Sequence, residues 1–456
     1  MELKRQLGFF TVMLIIIADM IGTGIFMTTG NVLELTHNAL LVLVLWVVGA
    51  VVAIAGALCY SELATMWPDV GGEYIYLKNM YGSLLPSFLT GWISLMVAFT
   101  APVAIAALTV IGYLQQVFMP GSQLYIFFGD PWMKRFCAAG IIIFFGLIHG
   151  AGVKQGSRIQ NVLTIMKVCI VIALIAFGAV YADWSHAGRL VADYTPAGSG
   201  TGMSIPALGL SLLMVMFAYS GWNSASYISG EIKNPEKYLP RAMFFGTLIT
   251  AVLYLVLNVI FLVSSPGEAL MGQNEVGAIA VTGLFGAHIS WVFDCGIVII
   301  LLSAISVQVM VGPRIYFAMA RDRVIFRFLE RVHPRFHTPL VSITIQVILS
   351  VLYVFIFNDP ELLLVYMGFA LGIFPLLTVF GLIMLRVTRP EIPRPYKVHF
   401  FPLTPVLYIV LYSAMMIASF IAWTKTSLIA IGVTIAGIPV FFIWQWIITR
   451  KASVES

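Results

Sequence analysis

Apolar runs of roughly 18–25 residues, separated by short polar links, recur along the whole chain. That is the pattern of helices that cross a membrane. Twelve runs are read, near 9–36, 39–66, 84–116, 136–153, 158–181, 204–230, 239–264, 289–320, 339–357, 361–387, 402–423 and 428–449. A membrane barrel would instead show segments of about ten residues with alternating polarity, and no such alternation is seen. Composition agrees: 60% of residues are hydrophobic, 10% are charged and the mean hydropathy is +0.98. So few charges cannot cover a water-soluble body of 456 residues. The expectation is an all-α integral membrane protein with twelve transmembrane helices. The first run is too long for a cleaved leader and lacks a small-residue cleavage site.

Charge sets the expected orientation. Lys4 and Arg5 precede the first run; the links on that side of the membrane also carry Lys78, Lys154, Arg158, Lys233, Lys237 and Arg241. A dense basic set follows between Arg321 and Arg335, with more between Arg386 and Lys397 and at Arg450 and Lys451. The other side receives only Lys134, Arg135, Arg189 and Lys425. Basic residues concentrate on the cytoplasmic side, so both termini are expected there, as an even number of spans requires. The net charge of +5 follows from this bias and calls for no nucleic-acid partner. The link "RDRVIFRFLERVHPRFHTP", Arg321–Pro339, has an amphipathic character that suits the anionic membrane lipid surface. The four cysteines, Cys59, Cys137, Cys169 and Cys295, form no CxxC pair, so neither a zinc site nor a disulfide framework is expected.

Two runs are interrupted. "IADMIGTGIFMTTG", Ile17–Gly30, places Gly22, Thr23 and Gly24 within the first span, with Asp19 just before them. "MFAYSGWNSASYISGEIKNP", Met216–Pro235, places Ser220, Gly221, Asn223 and Ser224 within the sixth. The interruptions lie about two hundred residues and five spans apart. Five is odd, so the second would enter the membrane from the opposite face. That is the parity of an inverted repeat, with units at 9–181 and 204–387 and two appended helices at 402–449. A lone GTG also suits a kink or close helix packing; the matching break and the adjacent aspartate favour a site. Unwound backbone at membrane depth survives only where it lines a cavity or is buried in protein. The half-helix starting near Gly24 presents free N–H groups and a partial positive charge, which suit a carboxylate. The half-helix ending near Met20 and Ile21 presents carbonyls, which suit an ammonium. Phe217 to Gly221 supply a second such pair. One site that grips both groups fits the backbone of an α-amino acid.

At these residues the chain resembles the amino acid–polyamine–organocation superfamily, in its L-type amino acid transporter branch. "GTGIF" at Gly22–Phe26 resembles the span-one motif, and "YSELATMWPDVGGEYIYL" at Tyr60–Leu77 the segment after span two. "GVKQGSRIQNVLTIMK" at Gly152–Lys167 resembles the start of span five; "FAYSGWN" and "EIKNPEKYLPRA" resemble span six and its link. "GPRIYFAMARD" at Gly312–Asp322 and "RPEIPRPYKV" at Arg389–Val398 complete a series in the family order, over nearly the whole chain. The resemblance implies the LeuT-type five-plus-five inverted repeat, with broken helices one and six, and alternating access. It implies that the substrate carboxylate meets Thr23 and the Gly24 amide, and that the ammonium meets carbonyls near Met20, Ile21 and Phe217. Phe217 would be the aromatic lid and gate, and Asn223 would shape the side-chain pocket. The implied function is sodium-independent transport of L-amino acids, by exchange or proton-coupled uptake. Polyamine or other organic amine transport on the same fold is the alternative.

Ionisable residues inside spans call for a function. Lys167 lies nine residues beyond Arg158, roughly 13 Å along a helix. In sodium-independent relatives a span-five lysine resembling Lys167 takes the place of the ion that braces spans one and eight. Here Lys167 either titrates for proton coupling or is a fixed brace; snorkelling from a tilted helix is the bland reading. Asp19 departs from the family, where that position is small, hydroxyl or amide. It pairs with a cationic substrate, carries a proton, or faces a fixed partner on another helix. Glu62, Glu231 and Arg314 sit near span ends and read as gate ion pairs or as solvated helix ends.

No HExxH, GxSxG or GxxxxGK[ST] motif occurs, and the histidines are isolated. An enzyme, a metal site, a cofactor and ATP-driven pumping are therefore not expected, and no ring of like charges suggests a channel. Some family members bind a single-span glycoprotein through a cysteine in the outer link after span three. The link at 117–135 has none, so no disulfide-linked heavy chain is expected, and a prokaryotic plasma membrane is favoured.

Overall fold

The computed structural model describes residues 3–194, 204–286, 290–356 and 360–455. Among them the regular structure is helical; two isolated bridges, Leu7 to Ile232 and Asn38 to Asp193, are the only β pairings. The first span is a bent pair, α1 (Phe9–Met20) and α2 (Gly24–Thr36), with 41° between them. Then come α3 (Ala39–Met66), a short α4 (Glu73–Tyr81), and a third span made of α5 (Leu84–Ile93), a π turn at Ser94–Ala98 and α6 (Ala101–Val117). A short α7 (Gln123–Gly129) leads to α8 (Pro131–Gly150) and α9 (Val153–Tyr181). The sixth span is α10 (Ile205–Ala218), a turn, and the four-residue α11 (Ser224–Tyr227). Beyond it lie α12 (Pro235–Ser264), the short outer helices α13 (Gly267–Leu270) and α14 (Val276–Phe285), and α15 (Ser290–Val311) running into α16 (Pro313–Arg321). The chain closes with α17 (Leu340–Ile356), α18 (Pro360–Thr388), α19 (Leu403–Ala422) and α20 (Thr424–Glu455).

Nine of the described helical stretches are long and apolar enough to cross a membrane, and the bent pair α1–α2 makes ten. The other two expected spans are shorter helices, 14 residues in α10 and 17 in α17. Local chemistry sets many starts. Asn38, Asp130 and Ser204 cap α3, α8 and α10 by accepting from backbone N–H groups two or three residues on. Pro131 and Pro235 open α8 and α12, where a missing N–H costs nothing. The link expected to lie as an amphipathic segment on lipid forms only a 3-10 turn, Arg327–Glu330, with Phe326 and Phe328 exposed and Leu329 buried.

Packing places the two interruptions side by side. The α1 helix packs on α12, and α10 packs on α3: span one meets seven as span six meets two. Likewise α9 packs on α15 while α18 packs on the π turn and its flanking helices, so five meets eight as ten meets three. Span four packs on nine, α8 against α17. Spans one to five thus exchange packing partners with spans six to ten. The π turn is unexpected from sequence: Thr100 donates to Leu95 O at 2.5 Å and Tyr353 to Met96 O at 2.6 Å, satisfying carbonyls that the widened turn frees.

Candidate functional site

The first break is Ile21–Thr23. Ile21 leaves helical geometry (φ −77°, ψ 98°), and its N–H still bonds Ile17 O. Helical bonding resumes with Phe26 and Met27 donating to Thr23 O. Residues 22–25 open α2 with their N–H groups, the positive end of a helix of 13 residues. Gly24 lies so close to the other break that a Cβ there would sit 2.6 Å from the Ala218 Cα. The second break begins as α10 ends at Ala218 and turns through Gly221, whose φ of +101° is the left-handed side that glycine tolerates. A Cβ on Gly221 would sit 2.7 Å from the Asp19 carbonyl carbon and 2.9 Å from Met20 N. The two interruptions therefore meet main chain to main chain.

The carbonyls freed by the breaks are largely held by side chains. Lys167 on α9 donates to Ala18 O at 2.8 Å and Ile21 O at 2.6 Å. The Tyr254 hydroxyl on α12 lies 2.5 Å from Met20 O and 3.1 Å from Ala218 O, so one group ties the last carbonyls of α1 and α10. Ser220 turns back on its own break, its N–H and hydroxyl both donating to Phe217 O at 3.0 and 2.7 Å. This alters the expectation for Ile21. Its side chain is buried, its carbonyl takes Lys167, and it is absent from the cavity wall. Lys167 is fully buried and makes direct hydrogen bonds, which overturns the snorkelling reading.

A cavity of about 180 Å³ opens between the breaks, and Asp19, Met20, Gly22, Thr23 and Gly24 line one side of it. Phe217, Ser220, Gly221 and Asn223 line the other. Every residue expected at the substrate site except Ile21 thus shares one space. Asp19 also faces it, and Gln308 on α15 donates an amide hydrogen to its Oδ1 at 2.6 Å. Sequence reading missed Glu73. It begins α4 after two glycines at positive φ, Gly71 (+115°) and Gly72 (+51°), and is buried at the cavity wall. There it accepts from Tyr60 at 2.7 Å, Asn223 at 2.9 Å and Thr90 at 3.3 Å. Asn223 is held by Glu73 and by Tyr227 at 3.1 Å, which fixes its direction in the pocket. The available signal was an acid directly after a GG pair in "VGGEYIYL". Gln308 gave none, being one amide in a continuous apolar run.

The charged residues read as gates lie outside the cavity. Glu231 and Arg314 are both buried and pair through two hydrogen bonds of 2.7 and 3.3 Å, and Arg314 also donates to Met310 O. Glu62 is fully buried, with Arg386 Nε at 2.9 Å, Arg394 at 3.3 Å and the Val398 N–H at 2.7 Å. All three side chains are thus buried in ion pairs and not at solvated helix ends. The N-terminal segment joins this end, Gln6 and Leu7 donating to Glu231 O at 2.8 and 2.9 Å, and Trp444 near the C-terminus donates to Arg323 O at 3.2 Å. Lys78 pairs with Asp322 at 2.6 Å, and Arg321 with Asp69, across the same end.

Two unwound segments facing one cavity within a helical membrane bundle define a carrier of small molecules. The chain belongs to the amino acid permease family, whose model matches residues 7–449. It is 30% identical to the "Serine/threonine exchanger SteT" of Bacillus subtilis, over 99% of this chain and 98% of that one. It is 29% identical to the human "Large neutral amino acids transporter small subunit 2", over 97% of this chain and 81% of the relative. With the mouse "b(0,+)-type amino acid transporter 1" it shares 30% identity over 92% of this chain and 84% of the relative. It is a multi-pass membrane permease and not an enzyme.

Proposed function

We propose that this chain is a sodium-independent secondary carrier that exchanges L-amino acids across the plasma membrane by alternating access. The observation that carries the reading is the pair of facing breaks around one cavity. The substrate carboxylate would take the N–H groups at Thr23 and Gly24, where the α2 dipole favours an anion. Its ammonium would find the remaining acceptor capacity of Met20 O; Phe217 O, expected to share that role, already accepts from the Ser220 N–H and hydroxyl. Each carbonyl has two lone pairs, so a protein donor on one leaves room for the substrate. Phe217 would close over the bound molecule, and Asn223, held by Glu73, would shape the side-chain pocket. Lys167 would serve as a fixed brace, because its ammonium is bonded to carbonyls that a metal cation would otherwise need. Glu62, Glu231 and Arg314 would keep one end of the path closed in this state.

The chain would be one transporter domain built from repeats at 9–181 and 204–387, with 402–449 added, and the end carrying both termini would be cytoplasmic. Cys137 lies inside α8 rather than in the preceding link, which supports a carrier without a disulfide-linked heavy chain, in a prokaryotic membrane. The test is uptake of labelled amino acids into proteoliposomes, loaded or empty, in sodium or choline buffer. Trans-stimulated uptake that is equal in both buffers is expected. Uptake that needs sodium, or that ignores internal amino acid, would reject the proposal.

A further inference from the structure

We propose that Asp19 and Gln308 form a subsite for a second amine, so that the carrier prefers amino acids with a basic side chain over neutral ones of similar length. The inference rests on the transport reading above and names the substrate class for that cavity. Gln308 must turn its NH₂ toward the Asp19 carboxylate, an acceptor, and the 2.6 Å bond shows that it does. This leaves Gln308 Oε1 buried and without a partner among the described residues. Both residues border the cavity. A carboxylate beside an unpartnered amide oxygen is a pair of acceptors, and a primary ammonium brings three donors.

Charge balance favours a ligand that carries a net positive charge. The cavity wall includes two acids, Asp19 and Glu73, and no lysine, arginine or histidine among the described residues. Glu73 is surrounded by neutral donors from Tyr60, Thr90 and Asn223. Asp19 forms no ion pair within 4.0 Å among the described residues; Lys167 acts on it through space while bonded to Ala18 O and Ile21 O. With all three groups ionised the local sum is −1. A zwitterion leaves that sum unchanged wherever its own ammonium sits, whereas an amino acid with a second amine brings it to zero. Uncompensated charge inside a membrane protein is costly, so the second amine has a place to go.

The experiment is competition for exchange in proteoliposomes, with lysine and ornithine against norleucine, in wild type, Asp19→Asn and Gln308→Leu. Wild type is expected to prefer the diamino acids by about tenfold, the factor given by 1.4 kcal/mol of added pairing. Asp19→Asn is expected to lower the ratio of diamino-acid to norleucine exchange about tenfold, whatever its absolute rate, and Gln308→Leu to lower that ratio less. The wild-type order alone decides if a variant fails to fold. Wild-type preference for norleucine overturns the proposal. So does a proton carried inward with each norleucine and lost in Asp19→Asn, which would assign the compensating charge to a proton. Exchange of norleucine without diamino-acid preference rejects the subsite alone; exchange of no amino acid rejects the transport reading and the subsite with it.

Discussion

Four of the acidic side chains buried in or bordering the core of this bundle, Glu62, Glu231, Asp19 and Glu73, divide into two kinds. Glu62 and Glu231 face arginines: Glu62 has Arg386 and Arg394, and Glu231 has Arg314. Asp19 and Glu73 face amides and hydroxyls and border a cavity. The first kind is complete within the protein. Fork-to-carboxylate geometry satisfies both partners, and such a pair locks elements together without needing a ligand. The second kind is not complete in charge: Glu73 has three neutral donors and Asp19 one. In the proposed carrier the first kind would lock one end of the path, and the second would leave a charge in the middle that a ligand can settle.

The largest expected effect that sharpens this contrast comes from the lock. Arg314→Met should cost about 3–5 kcal/mol by stranding Glu231, read as a fall in the unfolding midpoint of the detergent-purified protein. The double change Arg314→Met with Glu231→Gln should recover most of it. If the single and double variants unfold alike, the pair is not a closed unit. Next is Gly221→Ala, which puts a methyl at φ +101° against the Asp19 main chain. Transport should vanish while expression persists, because the two breaks could no longer touch; near-normal uptake would contradict the facing-break geometry. Tyr254→Phe removes the hydroxyl shared by Met20 O and Ala218 O and should destabilise by about 1–3 kcal/mol, the cost of stranding a buried acceptor. An unchanged midpoint would mean that water or the backbone satisfies those carbonyls. The smallest effect belongs to Arg321 and Asp69, each 42% exposed. Arg321→Ala should cost about 1 kcal/mol or less, so a loss comparable with Arg314→Met would erase the distinction between buried lock and surface pair.

The spans and the breaks were legible because their signals are local. A run of apolar residues states its own length, and GTG or SGWN inside one states an interruption. The depth of Lys167 followed from counting residues; its hydrogen-bond partners on α1, Ala18 O and Ile21 O, did not. What sequence could not show was which freed carbonyl meets which side chain. Ile21 was grouped with the ligand-facing residues because it adjoins the break, yet α9 reaches it first through Lys167. Glu73 and Gln308 lie 54 and 289 residues beyond Asp19 in the chain, and only packing brings them to the same cavity. The burial of Glu62 and Glu231 was hidden for a similar reason. Each sits near a span end, where solvent is the default, but Arg314 at the start of α16, Arg386 near the end of α18 and Arg394 in the link that follows pair with them.

The central claim is that the cavity between the two breaks is where the amino acid binds. Ser220→Cys, made after replacing Cys59, Cys137, Cys169 and Cys295 with alanine, puts a single thiol on that wall. Its labelling by a small membrane-permeant thiol reagent should slow as a transported L-amino acid is added, with half-protection at the concentration that half-saturates exchange. Labelling that proceeds at one rate across the whole saturating range would place the substrate elsewhere and contradict the account.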